Sequence, residues 1–204
     1  WLNYFPKKDI TCIYEDSKKS IWVGTKDDGL FRLDRNGGIT NYGTAPHQNM
    51  LSSSYVRCVV EDNLGNYWIG TFKGLDKLDV TTGTFTHYSK DNKPYSLSNS
   101  SIICMMKDRQ GTFWIGTYYG GVNLFNPDYE IYTYYYPDES QKGKLTSPFA
   151  GRMTEDSNGG IWIATEGGGV NYLDKKTKTF TEYKHDATKN SLASNTIQGL
   201  FLDE

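Results

Sequence analysis

Residues 61–79 read EDNLGNYWIGTFKGLDKLD, and nearly the same text returns as EDSKKSIWVGTKDDGLFRLD from Glu15, KDRQGTFWIGTYYGGVNLFN from Lys107 and EDSNGGIWIATEGGGVNYLD from Glu155. Trp22, Trp68, Trp114 and Trp162 stand 46, 46 and 48 residues apart, and Asp16, Asp62, Asp108, Asp156 and Asp203 keep the same rhythm. A period in the forties fits paired-helix solenoids or propeller blades. The local pattern chooses. Each unit holds four short runs rich in β-branched and aromatic residues, broken by Gly, Asp and Asn, with no apolar stripe of helical period.

In the second unit the strands are YVRCVVE, NYWIGT, GLDKLD and TFTHY. The first two are joined by DNLG, where Asp62 caps the turn through its carboxylate and Gly65 supplies positive φ. Four antiparallel strands per repeat make one blade. The first two strands are apolar on both faces, as in Ile21-Trp22-Val23 and Tyr67-Trp68-Ile69, so both faces need cover, which radially packed blades provide. Gly24, Gly70 and Gly116 follow their Trp by two residues, where a bulky side chain competes with the neighbouring blade, and the fourth unit has the small Ala164.

The expected fold is therefore all-β: a β-propeller segment with four complete four-stranded blades at about 7–43, 52–89, 98–136 and 146–184. Partial blades flank them, because WLNY at 1–4 matches a fourth strand and TIQGLFLDE at 196–204 a first strand. Those pieces, 1–5 and 195–204, lie in different strand positions, so the expectation is an arc of a larger propeller or one completed by a second chain. The connector before the first unit is shorter than the other four.

A net charge of −2 without a basic run sets nucleic acid aside. No apolar run approaches the roughly 20 residues that cross a bilayer. Three cysteines do not close a disulfide framework. Cys12, Cys58 and Cys104 occupy one repeated place in successive blades, where Arg152 stands in the fourth, and are expected to be buried and inert. The ED-x-x-G turns lack the alternating oxygen ligands of calcium loops. EGGG at 166–169 is followed by neither G-K-[ST] nor a helix, so it is no phosphate cradle. No metal or cofactor is expected. His47, His87 and His185 sit in unrelated contexts, without a nucleophile pattern, and YEIYTYYYP at 129–137 reads as packing on an outer strand.

The pattern I-x-x-I-x-E-D-x-x-G-x-I-W-I-G-T-x-x-G-G-L-x-x-x-D, followed by F-T-x-Y and S-L-S-x-N-x-I, resembles the two-component regulator propeller repeats over almost the whole chain. SLSNSSI at 96–102 and NSLASNTI at 190–197 match its connector. The resemblance implies the periplasmic sensor region of a hybrid two-component system. The parent would carry two propellers and a small β-sandwich outside the inner membrane, then a transmembrane helix, a histidine kinase and a response regulator. It further implies an oligosaccharide ligand and a homodimer whose geometry changes on binding.

The loops between second and third strands carry the variable text: KDDG at 26–29, FKG at 72–74, YYGG at 118–121 and EGGG at 166–169. Phe72, Tyr118 and Tyr119 offer flat surfaces for sugar stacking, and Lys26, Asp27, Lys73 and Glu166 offer partners for hydroxyls. Arg57 and Arg152 lie in first strands, where an arginine needs water, a carboxylate or a ligand. Against the sensor stand an interaction scaffold with no ligand and a propeller lyase. The lyase would need an acid and a base converging at the channel mouth.

Overall fold

The computed structural model of the chain describes residues 5–43, 49–92, 96–126, 131–138 and 141–203, and sixteen strands form among them. They pair in four antiparallel sheets, each joined in simple sequential order. The first sheet holds β1 (Ile10–Glu15), β2 (Ile21–Thr25), β3 (Leu30–Leu33) and β4 (Ile39–Tyr42). The second holds β5 (Val56–Glu61), β6 (Tyr67–Thr71), β7 (Leu75–Leu78) and β8 (Phe85–Tyr88). In the third are β9 (Ile102–Lys107), β10 (Phe113–Thr117), β11 (Gly121–Asn126) and β12 (Ile131–Tyr135), and in the fourth β13 (Ala150–Glu155), β14 (Ile161–Thr165), β15 (Val170–Asp174) and β16 (Thr179–Tyr183). These are β-propeller blades. The chain divides into two compact units, Trp1–Ser89 with Ser100–Ile102, and Lys90–Asn99 with Ile103–Glu204.

The repeated aspartate does two jobs in every blade. One carboxylate oxygen accepts the backbone N–H four residues on, at 2.7 Å for Asp16 to Ser20 and 2.8 Å for Asp62 to Asn66, which closes the hairpin turn. The other accepts the indole Nε1–H of the blade's tryptophan, at 2.9 Å for Trp22, 3.0 Å for Trp68, 2.9 Å for Trp114 and 3.1 Å for Trp162. A fourth-strand tyrosine covers the ring from the other side: Tyr42, Tyr88, Tyr135 and Tyr183 lie 5.5, 5.5, 6.2 and 5.5 Å from their tryptophans, centroid to centroid. Trp22, Trp68 and Trp114 are fully buried. Removing each from water is worth at most about 4–6 kcal/mol.

The small residue after each tryptophan answers to the cysteine as much as to the next blade. Cys12 faces Gly24 across the strand pair, and Cys58 faces Gly70. A Cβ on Gly24 would stand 2.5 Å from Cys12 Sγ and 2.9 Å from Val56 Cγ1; on Gly116 it would stand 2.7 Å from Cys104 Sγ and 2.8 Å from the Ala150 carbonyl oxygen. At Gly70 the space is closed by Cys58 and Ile102. In the fourth blade the cysteine is replaced by Arg152, which is exposed, and Ala164 fits with no exposure. None of the three cysteines is in a disulfide, and only Cys104 is buried as expected, Cys12 and Cys58 being half-buried. Burial pushes the Cys104 thiol up to about 12, and its S–H points at the Gly151 carbonyl, so it is no nucleophile at neutral pH.

Within each unit, neighbouring sheets are locked through the same aspartate by different chemistry. In the first unit the Tyr67 hydroxyl donates to Asp16 Oδ2 at 2.7 Å, and Glu61 accepts the Ser17 backbone N–H at 2.8 Å and its hydroxyl at 2.7 Å. Burial alone would raise Asp16, but the bonds from Tyr67, Trp22 and Ser20 outweigh it and hold the carboxyl below its ordinary value. In the second unit Lys175 Nζ takes the place of that hydroxyl. It lies 3.0 Å from both Asp108 Oδ2 and Glu155 Oε1 and 2.6 Å from Gln110 Oε1. Burial pulls Lys175 down, yet the bonds to Asp108 and Glu155 outweigh it and leave its pKa raised.

Incoming connectors are held by a buried polar residue on the third strand. Ser52 N and Oγ both donate to Asp76 Oδ2, at 2.8 and 2.9 Å. Ser98 N donates to Asn123 Oδ1 at 2.9 Å, and Thr146 N to Asn171 Oδ1 at 3.1 Å. The first blade, where the connector is short, has no such pair: Pro6 lacks the N–H, Phe31 lacks the acceptor, and Phe5 packs on Phe31 at 5.2 Å instead.

Two expectations need correction. Residues 195–203 form no strand. An innermost strand needs the second strand of its own blade, and none is present for it among the described residues; Asn195 and Ile197 bond instead to the Gly169 N–H and the Thr165 carbonyl. The first strand of the first blade is also not covered on both faces, since Ile13 is 69% exposed whereas its counterpart Val59 is 5% exposed. Residues 1–4 of the other partial blade, His47, Glu204 and residues 129–130 of the aromatic outer stretch lie outside the described residues. In that outer stretch Tyr135 packs on Phe180 at 5.2 Å while Tyr134 and Tyr136 are exposed, as alternation demands.

Candidate functional site

Each loop between second and third strands is built the same way, which puts its first residue at a fixed place. The threonine ending the second strand turns its hydroxyl onto the carbonyl that opens the third: Thr25 to Gly29 at 2.8 Å, Thr71 to Gly74 at 2.9 Å, Thr117 to Gly121 at 3.2 Å and Thr165 to Gly169 at 2.8 Å. The next residue's N–H bonds the residue just before the innermost strand: Lys26 to the Asp9 carbonyl, Phe72 to Tyr55 and Glu166 to Phe149, at 3.0, 3.0 and 3.2 Å. At this end of a blade the variable loop and the strand entry therefore form one surface.

In the second unit that surface is an aromatic cluster. Tyr118 and Tyr119 meet edge to face at 4.5 Å, and Phe149 closes on them at 5.4 and 6.2 Å. Tyr118 is 45% and Tyr119 59% exposed. Tyr119 has φ +54°, a left-handed conformation that costs a side chain roughly 1–2 kcal/mol, and the matching residue of the fourth blade is Gly167 at φ +81°. The adjacent Tyr118 pushes the Tyr119 hydroxyl above its ordinary value, and Glu166 adds in the same direction. Glu166 adjoins the cluster through its backbone, whose N–H donates to the Phe149 carbonyl at 3.2 Å.

The first unit's surface combines aromatics with a cation. Tyr55 and Phe72 stack at 6.2 Å and 12° between planes. The Arg57 guanidinium lies 4.5 Å from the Tyr55 ring and 5.3 Å from the Phe72 ring, and Phe72 is half exposed. Lys26, Asp27 and Lys73 are exposed on their loops; the ion pair at this first-blade loop joins Lys8 to Asp28 at 2.6 Å instead.

The structure thus brings Tyr118, Tyr119 and Glu166 together, and Arg57 with Phe72. Lys26, Asp27, Lys73 and Arg152 join neither group by a bond of their side chains. Tyr55 and Phe149 belong to the surfaces and were missed by sequence reasoning, although an aromatic residue at the entry of an innermost strand, one step from a variable loop, was a readable signal. Among the described residues no group of three or more His, Cys, Asp and Glu is placed to hold a metal ion.

The model of the two component regulator propeller matches residues 4–27, 50–73, 96–119 and 144–167, once per blade. The chain belongs to the family of two component regulator propeller repeats. Each match runs from the connector through the second strand into the variable loop, so Tyr55, Arg57, Phe72, Tyr118, Tyr119, Phe149 and Glu166 all lie within matched stretches. Among solved structures the chain is similar to the extracellular domain of BT3049, assigned as a hybrid two component system of B. thetaiotaomicron. The identity is 20% over 90% of this chain and 26% of that one, with a TM-score of 0.71. BT4673 from the same organism gives 22% identity over 86% of this chain and 25% of that one, TM-score 0.71. Virginiamycin B lyase from Staphylococcus aureus gives 14% identity over 88% and 57%, TM-score 0.68. The propeller repeat chain spans about a quarter of the length of the two B. thetaiotaomicron domains. No curated protein matches it.

Proposed function

We propose that this chain is a ligand-binding segment of an extracellular sensor, that it works on the periplasmic side of the inner membrane, and that its ligand is an oligosaccharide. The observation that carries the reading is the Tyr118–Tyr119–Phe149 cluster. Three rings converge at a loop end, two of them open to solvent, and one is kept in a backbone conformation that the neighbouring blade gives to glycine. Strain held in place at an exposed aromatic residue points to a use outside the fold. Flat rings with phenolic hydroxyls and a carboxylate alongside suit a pyranose, whose C–H face packs on the ring while its hydroxyls bond Glu166.

Within a parent of this architecture the partners are further blades, a β-sandwich and a second copy of the chain, and binding shifts the geometry of that dimer toward kinase signalling. The chain's own part is recognition.

The test is calorimetric titration of the chain, and of the complete extracellular region, with a panel of plant and host oligosaccharides, repeated with Tyr118→Ala and Tyr119→Ala. Saturable heat without turnover, lost in both variants, is the expected outcome. Product formation would replace the sensor with an enzyme, and silence across the panel would leave a scaffold.

A further inference from the structure

Arg57 carries more chemistry than its place in the fold uses. Its Nη1 donates to the carbonyl of Ile102 at 3.0 Å, the opening residue of the next innermost strand, and to Ser101 Oγ at 2.9 Å. One repeat earlier the same bond is made by Thr11, whose hydroxyl donates to the Val56 carbonyl at 2.5 Å. A hydroxyl is therefore enough to tie an inner strand to its neighbour, and the third and fourth blades have Ile103 and Gly151 at this place. The guanidinium adds a permanent charge and the donors of Nε and Nη2.

Among the described residues Arg57 forms no ion pair, and its bonds are the two from Nη1. The group is held in orientation by the Tyr55 and Phe72 rings at 4.5 and 5.3 Å. Because Nη1 is tied to the protein, the free edge is the one running from Nε to Nη2, whose two parallel N–H groups match the two oxygens of a carboxylate. The exposed half of Phe72 adjoins that group and offers an apolar face for a sugar ring.

We propose that Arg57, backed by Tyr55 and Phe72, is a carboxylate-binding subsite, and that the oligosaccharide it receives contains a uronic acid. The inference rests on the oligosaccharide reading and narrows it to acidic sugars. Arg57 pairs side-on with the uronate carboxylate, Phe72 takes the C–H face of the same ring, and nothing covalent changes.

The decisive variant is Arg57→Thr, which restores the bond made by Thr11 and deletes the charge. The chain is titrated with a galacturonic acid oligosaccharide, its methyl ester, a neutral oligosaccharide and a sulfated one. Wild type should bind the acid about 10- to 100-fold more tightly than its ester, the range of a charge-assisted pair. R57T should bind both alike at an unchanged melting temperature. If R57T melts lower, Arg57→Lys carries the test, with an expected partial loss of the preference. Equal affinity of wild type for acid and ester, or a preference surviving in R57T, would overturn the subsite while leaving binding of the neutral sugar, and so the broader reading, intact. A sulfated sugar bound as well as the uronate would overturn the carboxylate assignment. Silence toward every sugar would sink both.

Discussion

The pairing of Gly24 with Cys12 makes a quantitative statement about how this fold is packed. A Cβ at residue 24 would lie 2.5 Å from Cys12 Sγ and 2.9 Å from Val56 Cγ1, whereas comfortable contacts begin near ~3.5 Å. One side chain must give by about 1 Å. Overpacking of this order costs about 1–3 kcal/mol, so Gly24→Ala should destabilise by that amount. Cys12→Ala alone removes the sulfur and should cost about 1 kcal/mol. Combined, the two substitutions leave an alanine at residue 24, as the fourth blade has at Ala164, with no sulfur against it, and the sulfur clash disappears. The double variant should then be more stable than the sum of the single effects implies, by a coupling of about 1 kcal/mol. Equilibrium urea denaturation followed by tryptophan fluorescence reads all four proteins. Strict additivity would refute the idea that the cysteine sets the size of its partner.

The remaining predictions concern buried charges. Lys175→Met strips the counter-charge from Asp108 and Glu155, whose side chains are 3% and 6% exposed, and should cost about 3 kcal/mol at neutral pH. Because the Lys175 pKa is raised in the fold, its contribution is complete below the unfolded value of about 10.5 and fades as pH climbs past it; a gap between variant and wild type that does not narrow in alkali would contradict this. Asp16 and Asp156 are both held below their ordinary value, with bonds to tryptophan and backbone outweighing burial. Their stabilisation is present above the unfolded value near ~4 and is lost as pH falls from there through the lower folded value, so Asp156→Asn should flatten the acid limb of a stability-against-pH curve. Asp76 runs the other way: burial raises it despite the bonds from His87 and Ser52, so the fold favours its protonated form and its ionisation weakens stability as pH rises. Asp76→Asn, which copies Asn123 and Asn171, should leave the melting temperature at neutral pH equal or higher, and a marked fall would show that the carboxylate is required.

The strands and blade count were readable because Trp22, Trp68, Trp114 and Trp162 repeat with their aspartates at constant distance, and the alternation around them leaves little choice of register. That the aspartate also grips the indole was implicit in its fixed spacing of six residues from the tryptophan in every unit, but turn capping alone explained its presence and hid the second bond. The exchange of Cys–Gly for Arg152–Ala164 was likewise written in the sequence. It becomes a packing rule only when cross-strand pairing shows that the two positions touch. Phe31 and Pro6 show the same limit, since a lost N–H and a lost acceptor are linked only once the connector is laid over the third strand. The candidate surfaces were half legible: variable loops marked Phe72, Tyr118 and Tyr119, while Tyr55 and Phe149 depend on strand entries folding back beside those loops.

The claim that recognition happens at the loop end of the blades can be tested with one experiment, amide chemical-shift mapping of the chain at saturating oligosaccharide. The account predicts shifts at 118–121, 149 and 166 within the second unit, and, for a sugar that carries a carboxylate, a set of its own at 55–57 and 72 within the first. Shifts confined to the opposite strand ends, at the turns held by Asp16, Asp62, Asp108 and Asp156, would contradict it.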